Sequence, residues 1–183
     1  MREQVDRLAK LATELLDLSR ADAGQLRVAR APLELARVAG TVAEEFAPTA
    51  RAEERLLEVE RDGGPLVVGD EQRVLQIARV LVENALVHTP PRTRVRMRAG
   101  AGVLTVEDDG PGIPAEHVGH VFERFYRIDG QLASGSGLGL AIARELALAM
   151  GGSLEVESEP GRTVFTLRLP VEDGARVPEP TVA

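Results

Sequence analysis

Three glycine-bearing stretches crowd the second half of the chain: VEDDGPGIP (106–114), GSGLGLAI (135–142) and GGSLEVESEPGRT (151–163). Glycine adopts positive φ and lets backbone approach a ligand closely, and these stretches interrupt the regular periodic pattern. GSGLGL runs straight into a helical pattern, Leu138, Ile142 and Leu146. The N–H groups and dipole of that helix start favour an anion such as phosphate. A Walker loop is excluded, because no Gly-Lys-Ser/Thr follows and Lys10 is the only lysine. A dinucleotide fingerprint is excluded by its spacing and by the lack of parallel βαβ repeats.

The rest of the pattern predicts an α+β two-layer sandwich, three helices on a sheet of about five strands. Helices are expected at 35–47 (Leu35, Val38, Val42, Phe46, ending near Pro48), at 71–87 with Asp70 as N-cap, and at 138–150. Strands are expected at Leu26–Val28, Leu56–Val59, Val95–Ala99, Val103–Val106, and around Val156 and Leu167. Arg94, Arg96 and Arg98 alternate with Val95, Met97 and Ala99, which places charge on the sheet face away from the helices. Residues 25–170 form the expected domain, and 171–183, Pro-rich and acidic, read as a disordered tail or linker.

Residues 1–24 carry a narrow seam of Leu8, Leu11, Leu15 and Leu18, stopped by Gly24. It reads first as a helix for a partner helix, and second as a cover for its own domain. The net charge of −7 argues against nucleic-acid binding, and the absence of Cys excludes disulfides and thiol chemistry. No apolar run is long enough to span a bilayer.

Glu83-Asn84 is a polar pair inside the aliphatic segment LVENALVHTPP (81–91). A solvated helix face would account for it, and so would a Mg²⁺ site, since that ion takes oxygen ligands. Together with the glycine stretches, this segment resembles the ATP-binding catalytic domain of sensor histidine kinases, in the GHKL ATPase superfamily. LVENALVHTP is similar to the family's N box, VEDDGPGIP to its first glycine box and VFERFYR (121–127) to its F box. GSGLGLAIAREL is similar to the second glycine box, GGSLEVESEPGRTVF to the last glycine motif, and LLDLSRADAGQLRV (15–28) to the end of a dimerisation helix. The five domain motifs stand in the family's order.

The resemblance implies a sandwich of GHKL type, ATP and Mg²⁺ as ligands, and transfer of the γ-phosphoryl group to a His on a dimerisation helix. An Asp of a response regulator would then receive it. Asp108 would accept a hydrogen bond from the adenine amino group, and Gly110 and Gly112 would keep that wall clear. Glu83 and Asn84 are the implied catalytic pair, with Asn84 on the metal and His88 beside the nucleotide. Gly135, Gly137 and Gly139 would present N–H groups to the phosphates, with Ile113, Leu138, Leu140 and Thr163 lining the site. Residues 116–134 would be an ATP lid anchored by Phe122 and Phe125, with Arg124 and Arg127 reaching the phosphates. Plain core serves equally for the two Phe, and solvated surface for the two Arg.

Neither His88, His117 nor His120 stands in an acceptor-box context, so the phosphoacceptor helix is expected to be separate. The full kinase is expected to be a homodimer, this portion cytoplasmic, and any membrane contact made by upstream segments. Three positions depart from the family pattern. Val80 replaces the first Asn of the N box, Val87 replaces a cation, and Gly161-Arg162-Thr163 is one residue short. These leave open a weakly binding interaction module of the same fold, or a GHKL ATPase without His transfer.

Overall fold

The computed structural model describes residues 12, 13, 15, 16, 18–20, 23–128 and 136–176. The described residues between 12 and 20 are helical. Gly24 at φ +62° then turns the chain, and the Gln25 N–H donates to the Arg20 carbonyl at 2.8 Å. Twelve elements follow: β1 (Ala31–Leu33), α1 (Leu35–Ala52), β2 (Leu56–Arg61), β3 (Pro65–Gly69), α2 (Glu71–Val87), β4 (Arg94–Gly100), β5 (Val103–Asp108), α3 (Ala115–Val118), α4 (Gly139–Ala149), β6 (Ser153–Glu159), β7 (Arg162–Arg168) and β8 (Val171–Arg176).

The main sheet has the order β2-β4-β5-β7-β6, with β2 and β4 parallel and the other pairs antiparallel. Its inner face carries Val95, Met97, Leu104, Val106, Phe165 and Leu167, all buried. Helices α1, α2 and α4 supply the opposite layer through Val38, Val42, Ile77, Leu81, Ile142 and Leu146. The outer face is charged, as the alternation requires. Arg96 meets Glu107 at 3.2 Å and Arg98 meets Glu60 at 2.7 Å. The predicted α+β sandwich and five-stranded sheet are therefore present.

Several boundaries differ from expectation. No strand forms at Leu26–Val28; Leu26 and Val28 pack against the core, and the strand is β1, which contains Pro32. Proline is tolerated there because β1 is the edge of a second sheet, β1-β3-β8. Helix α1 passes through Pro48 to Ala52, because the fully buried Ala50 holds its last turn in the core. Residues 171–176, expected within an irregular tail, form β8 instead, antiparallel to β3 with Val171 opposite Val67. Backbone pairing of β3's second edge outweighs the acidic composition. Residues 177–183 lie outside the described residues.

Candidate nucleotide-binding site

Helix α2 runs the length of the site. Asp70 caps it, its Oδ1 accepting from the Gln72 and Arg73 N–H groups at 3.0 and 3.3 Å. The other oxygen, Oδ2, accepts from the Ala29 N–H at 2.9 Å, so one carboxylate fixes both the helix and the segment leading into the domain. Leu81, Val82, Ala85 and Leu86 are buried, whereas Val80, Glu83 and Asn84 are half-buried and Val87 and His88 exposed. Helical spacing puts these last five on one stripe along the border of the core. At its upstream end Val80 abuts α4: a Cβ placed on Gly139 would lie 3.3 Å from Val80 Cγ1. At its downstream end Thr89 abuts the first glycine stretch. At 1.5 Å per residue, the two contacts stand about 13 Å apart along the axis.

The downstream end holds a buried acceptor. Leu104, Val106 and Asp108 share the inner face of β5, so the apolar row ends in an acidic residue only 6% exposed. Burial pushes its pKa up to about 6, helped by Asp109 and Glu107 and opposed by the hydrogen bond from the Gly110 N–H at 3.0 Å. A Cβ on Gly110 would stand 2.6 Å from Thr89 Cγ2 and 2.7 Å from Asp108 Oδ1. The absence of a side chain is thus what lets Thr89 and Asp108 converge.

Gly112 has a different reason. At φ +83°, its Cβ would collide with the Glu159 carbonyl at 2.4 Å, so it seats the loop on the β6–β7 turn. The Ile113 N–H donates to Ser158 Oγ at 2.8 Å, and that hydroxyl shares a hydrogen bond with Thr163 Oγ1 at 2.9 Å. Thr163 is buried and pairs with Asp108 across the sheet. Ile113, Thr163, Asp108 and Gly110 therefore form one connected wall.

The upstream end is the start of α4. Leu138 is buried core rather than an exposed contact, and no side chain caps the helix. Gly139 and Leu140, both half-buried, form its first turn. Gly137, at φ +70°, accepts the Phe125 N–H on its carbonyl at 2.9 Å, which ties the F box to the second glycine box. Gly135 lies outside the described residues.

The two Phe part company. Phe122 packs edge-on against Phe165, centroids 6.2 Å apart, with the Arg144 guanidinium 5.2 Å from its ring. Phe125 is 62% exposed at φ +62°, so its backbone rather than its ring makes the anchor. Arg124 and Arg127 are exposed.

Thr89 and Ser158 escaped the sequence reading. Both had a signal: Ser158 follows Leu154 and Val156 on one strand face, and Thr89 sits where a helix ends before Pro90-Pro91.

Among the described residues no group of three His, Cys, Asp or Glu could hold a metal. Hard oxygen donors on one helical turn, Asn84 beside Glu83, suit Mg²⁺, which takes one or two protein ligands alongside phosphate oxygens. The residues fit that ion.

Known proteins are similar to this chain. TcrY of Mycobacterium tuberculosis, described as a probable sensor histidine kinase, is 37% identical over 177 residues, covering 92% of this chain and 37% of TcrY. The solved structure of full-length ShkA in complex with AMPPNP matches with a TM-score of 0.82 and 29% identity, over 95% of this chain and 38% of ShkA. The mycobacterial sensor histidine kinase MprB matches with a TM-score of 0.65 and 30% identity, over 78% of this chain and 98% of that structure. The chain thus spans little more than a third of the length of TcrY. A model of the histidine kinase-, DNA gyrase B- and HSP90-like ATPases matches residues 69–173, from the last residue of β3 into β8, and the chain belongs to that family.

Proposed function

We propose that this chain is the ATP-binding catalytic domain of a two-component sensor histidine kinase. The observation that carries the reading is the convergence of Asp108, Gly110 and Thr89 at one end of α2, with the glycine-led start of α4 against its other end. Asp108, as an acceptor in a buried wall, would take the adenine amino group. The uncapped N-terminus of α4 would take the phosphates. Asn84, with Glu83 beside it, would hold Mg²⁺, which offsets phosphate charge when bound. Glu83 would receive the proton of an incoming imidazole.

Phosphoryl transfer asks the protein for positioning and charge stabilisation rather than covalent help. The acceptor would be a His on a dimerisation helix, the next carrier an Asp of a response regulator, and the working unit a homodimer at the cytoplasmic side of the membrane. No helix among the described residues is long and apolar enough to cross a membrane.

Titration with Mg²⁺-ATP tests the site: Asn84→Ala and Asp108→Ala should each weaken binding at least ten-fold, roughly one lost charge-assisted contact. Radiolabel passing from γ-labelled ATP to a supplied dimerisation-helix domain tests the transfer, and its absence alongside tight ATP binding would leave an ATPase rather than a kinase. Val80 and Val87, apolar on the stripe that bears Asn84, favour one second reading, a weakly binding interaction module of the same fold.

A further inference from the structure

Arg55, at the junction of α1 and β2, has a side chain only 9% exposed. Its partners are specific. One terminal nitrogen donates to the Thr89 carbonyl, Nε donates to Thr89 Oγ1 at 3.3 Å, and the other terminal nitrogen meets Glu53 Oε2 at 2.5 Å. Thr89 in turn donates its hydroxyl to the Ala85 carbonyl at 2.6 Å. With the hydroxyl held from both sides, the Thr89 methyl is left pointing at Gly110, where it closes the wall beside Asp108.

The surrounding backbone is built around this contact. Glu54 and Arg92, neither of them glycine, both adopt positive φ (+56° and +69°), and the Arg92 N–H donates to the Glu54 carbonyl at 2.8 Å. The Leu56 N–H donates to the Thr93 carbonyl at 3.1 Å. Left-handed backbone at two non-glycine residues persists only where the surroundings hold it. The cation also sits at the C-terminal, negative end of α2, where a guanidinium is favoured.

We infer that Arg55 is a positioning residue for base recognition: by fixing the rotamer of Thr89 it sets the wall against which Asp108 reads the adenine amino group. This rests on the nucleotide reading above. The hydrogen bonds of the Arg55 guanidinium go to Thr89 and Glu53, neither of them assigned to phosphate, so its loss should act on the base and not on the triphosphate.

The test is calorimetric titration of the full chain with Mg²⁺-ATP and Mg²⁺-ITP, whose 6-oxo group cannot donate to Asp108. The wild type should prefer ATP. Arg55→Met should lower ATP affinity about ten-fold and leave ITP within about two-fold, collapsing the preference. Arg55→Lys, with one point donor instead of a fork, should fall between. Thr89→Ser, which keeps the hydroxyl and removes the methyl, should lose the preference too, and adding Arg55→Met to it should change the ratio little. Equal losses for ATP and ITP in both Arg55 variants would mean a merely structural role and overturn the inference. So would an unchanged preference in Arg55→Met. A wild type without ATP preference would overturn the adenine reading and this inference with it.

Discussion

The Gly110 N–H donates to Asp108 Oδ1 at 3.0 Å, and this bond works against the burial that holds the carboxyl pKa near 6. The folded value lies above the ordinary 3.8, so the neutral acid is the form that folding favours. The associated stability is fully present below about pH 4 and is lost as pH rises through about 6. A shift of this size corresponds to about 3 kcal/mol at most. Asp108→Asn, which cannot ionise, should therefore melt higher than the wild type at pH 7.5, with the two converging near pH 4. Parallel melting curves across that range would show that Asp108 ionises without cost. Binding should run the other way. In the proposed site the carboxylate would be the acceptor for adenine, so ATP affinity should fall as pH drops below about 6.

Val80 and Val87 lie on the stripe that carries Asn84, but their surroundings differ. Val87 is 45% exposed, so Val87→Arg should leave stability within about 0.5 kcal/mol. Val80 is half-buried against Gly139, and an amide there should cost about 1–2 kcal/mol. Both should improve the site: a cation facing the phosphates and a polar group beside the metal together gain about one to two orders of magnitude in affinity. Nucleotide titration paired with thermal melts separates the two effects. Unchanged affinity in the double variant would show that other groups, Arg127 first among them, already serve the phosphates.

The main sheet and its helices were legible because they follow period 2 and period 3.6 almost without interruption, as in RVRMRA and VLQIARVLV. Asp108 was legible only through the resemblance of VEDDGPGIP to a glycine box; its place at the next inward position after Leu104 and Val106 was not read, because the strand was expected to stop at Val106. The second sheet was not: β1 carries a proline and β8 is acidic, and only pairing with β3 makes strands of them. Arg55 was equally hidden. An arginine between a helix and a strand looks like solvated surface, and its burial depends on Thr89, which lies 34 positions away.

Gly137 is where two motifs meet, and it tolerates no side chain. A Cβ there would lie 2.8 Å from the Phe125 carbonyl carbon, on backbone already at φ +70°. Gly137→Val should break the Phe125–Gly137 hydrogen bond and weaken ATP binding more than ten-fold. Gly161→Ala is the control, since Gly161 shares the positive φ (+87°) but has nothing within 4 Å. It should cost about 1 kcal/mol of stability and leave affinity unchanged. If the two variants bind ATP equally, the tie between the F box and the second glycine box does not matter to the nucleotide.

Leu18 joins the described end of the N-terminal helix to the domain core. The leucine seam was expected to await a partner helix, yet Leu18 is 6% exposed and belongs to the domain core. Leu15 and Leu16 are about half exposed, and Leu8 and Leu11 lie outside the described residues. The end of the helix is thus committed inward, and the Asp70–Ala29 bond holds the segment that follows it. Leu18→Ala should cost about 2–4 kcal/mol, as a core truncation does. Leu15→Ala and Leu16→Ala should leave monomer stability within about 0.5 kcal/mol and instead weaken concentration-dependent self-association. A chain shortened to start at Gln25 should melt lower than the full chain even at dilutions where both sediment as monomers. Equal melting of the two would return Leu18 to the partner-facing seam. A Leu15 variant that self-associates as the wild type does would mean that the exposed leucines serve no helix partner.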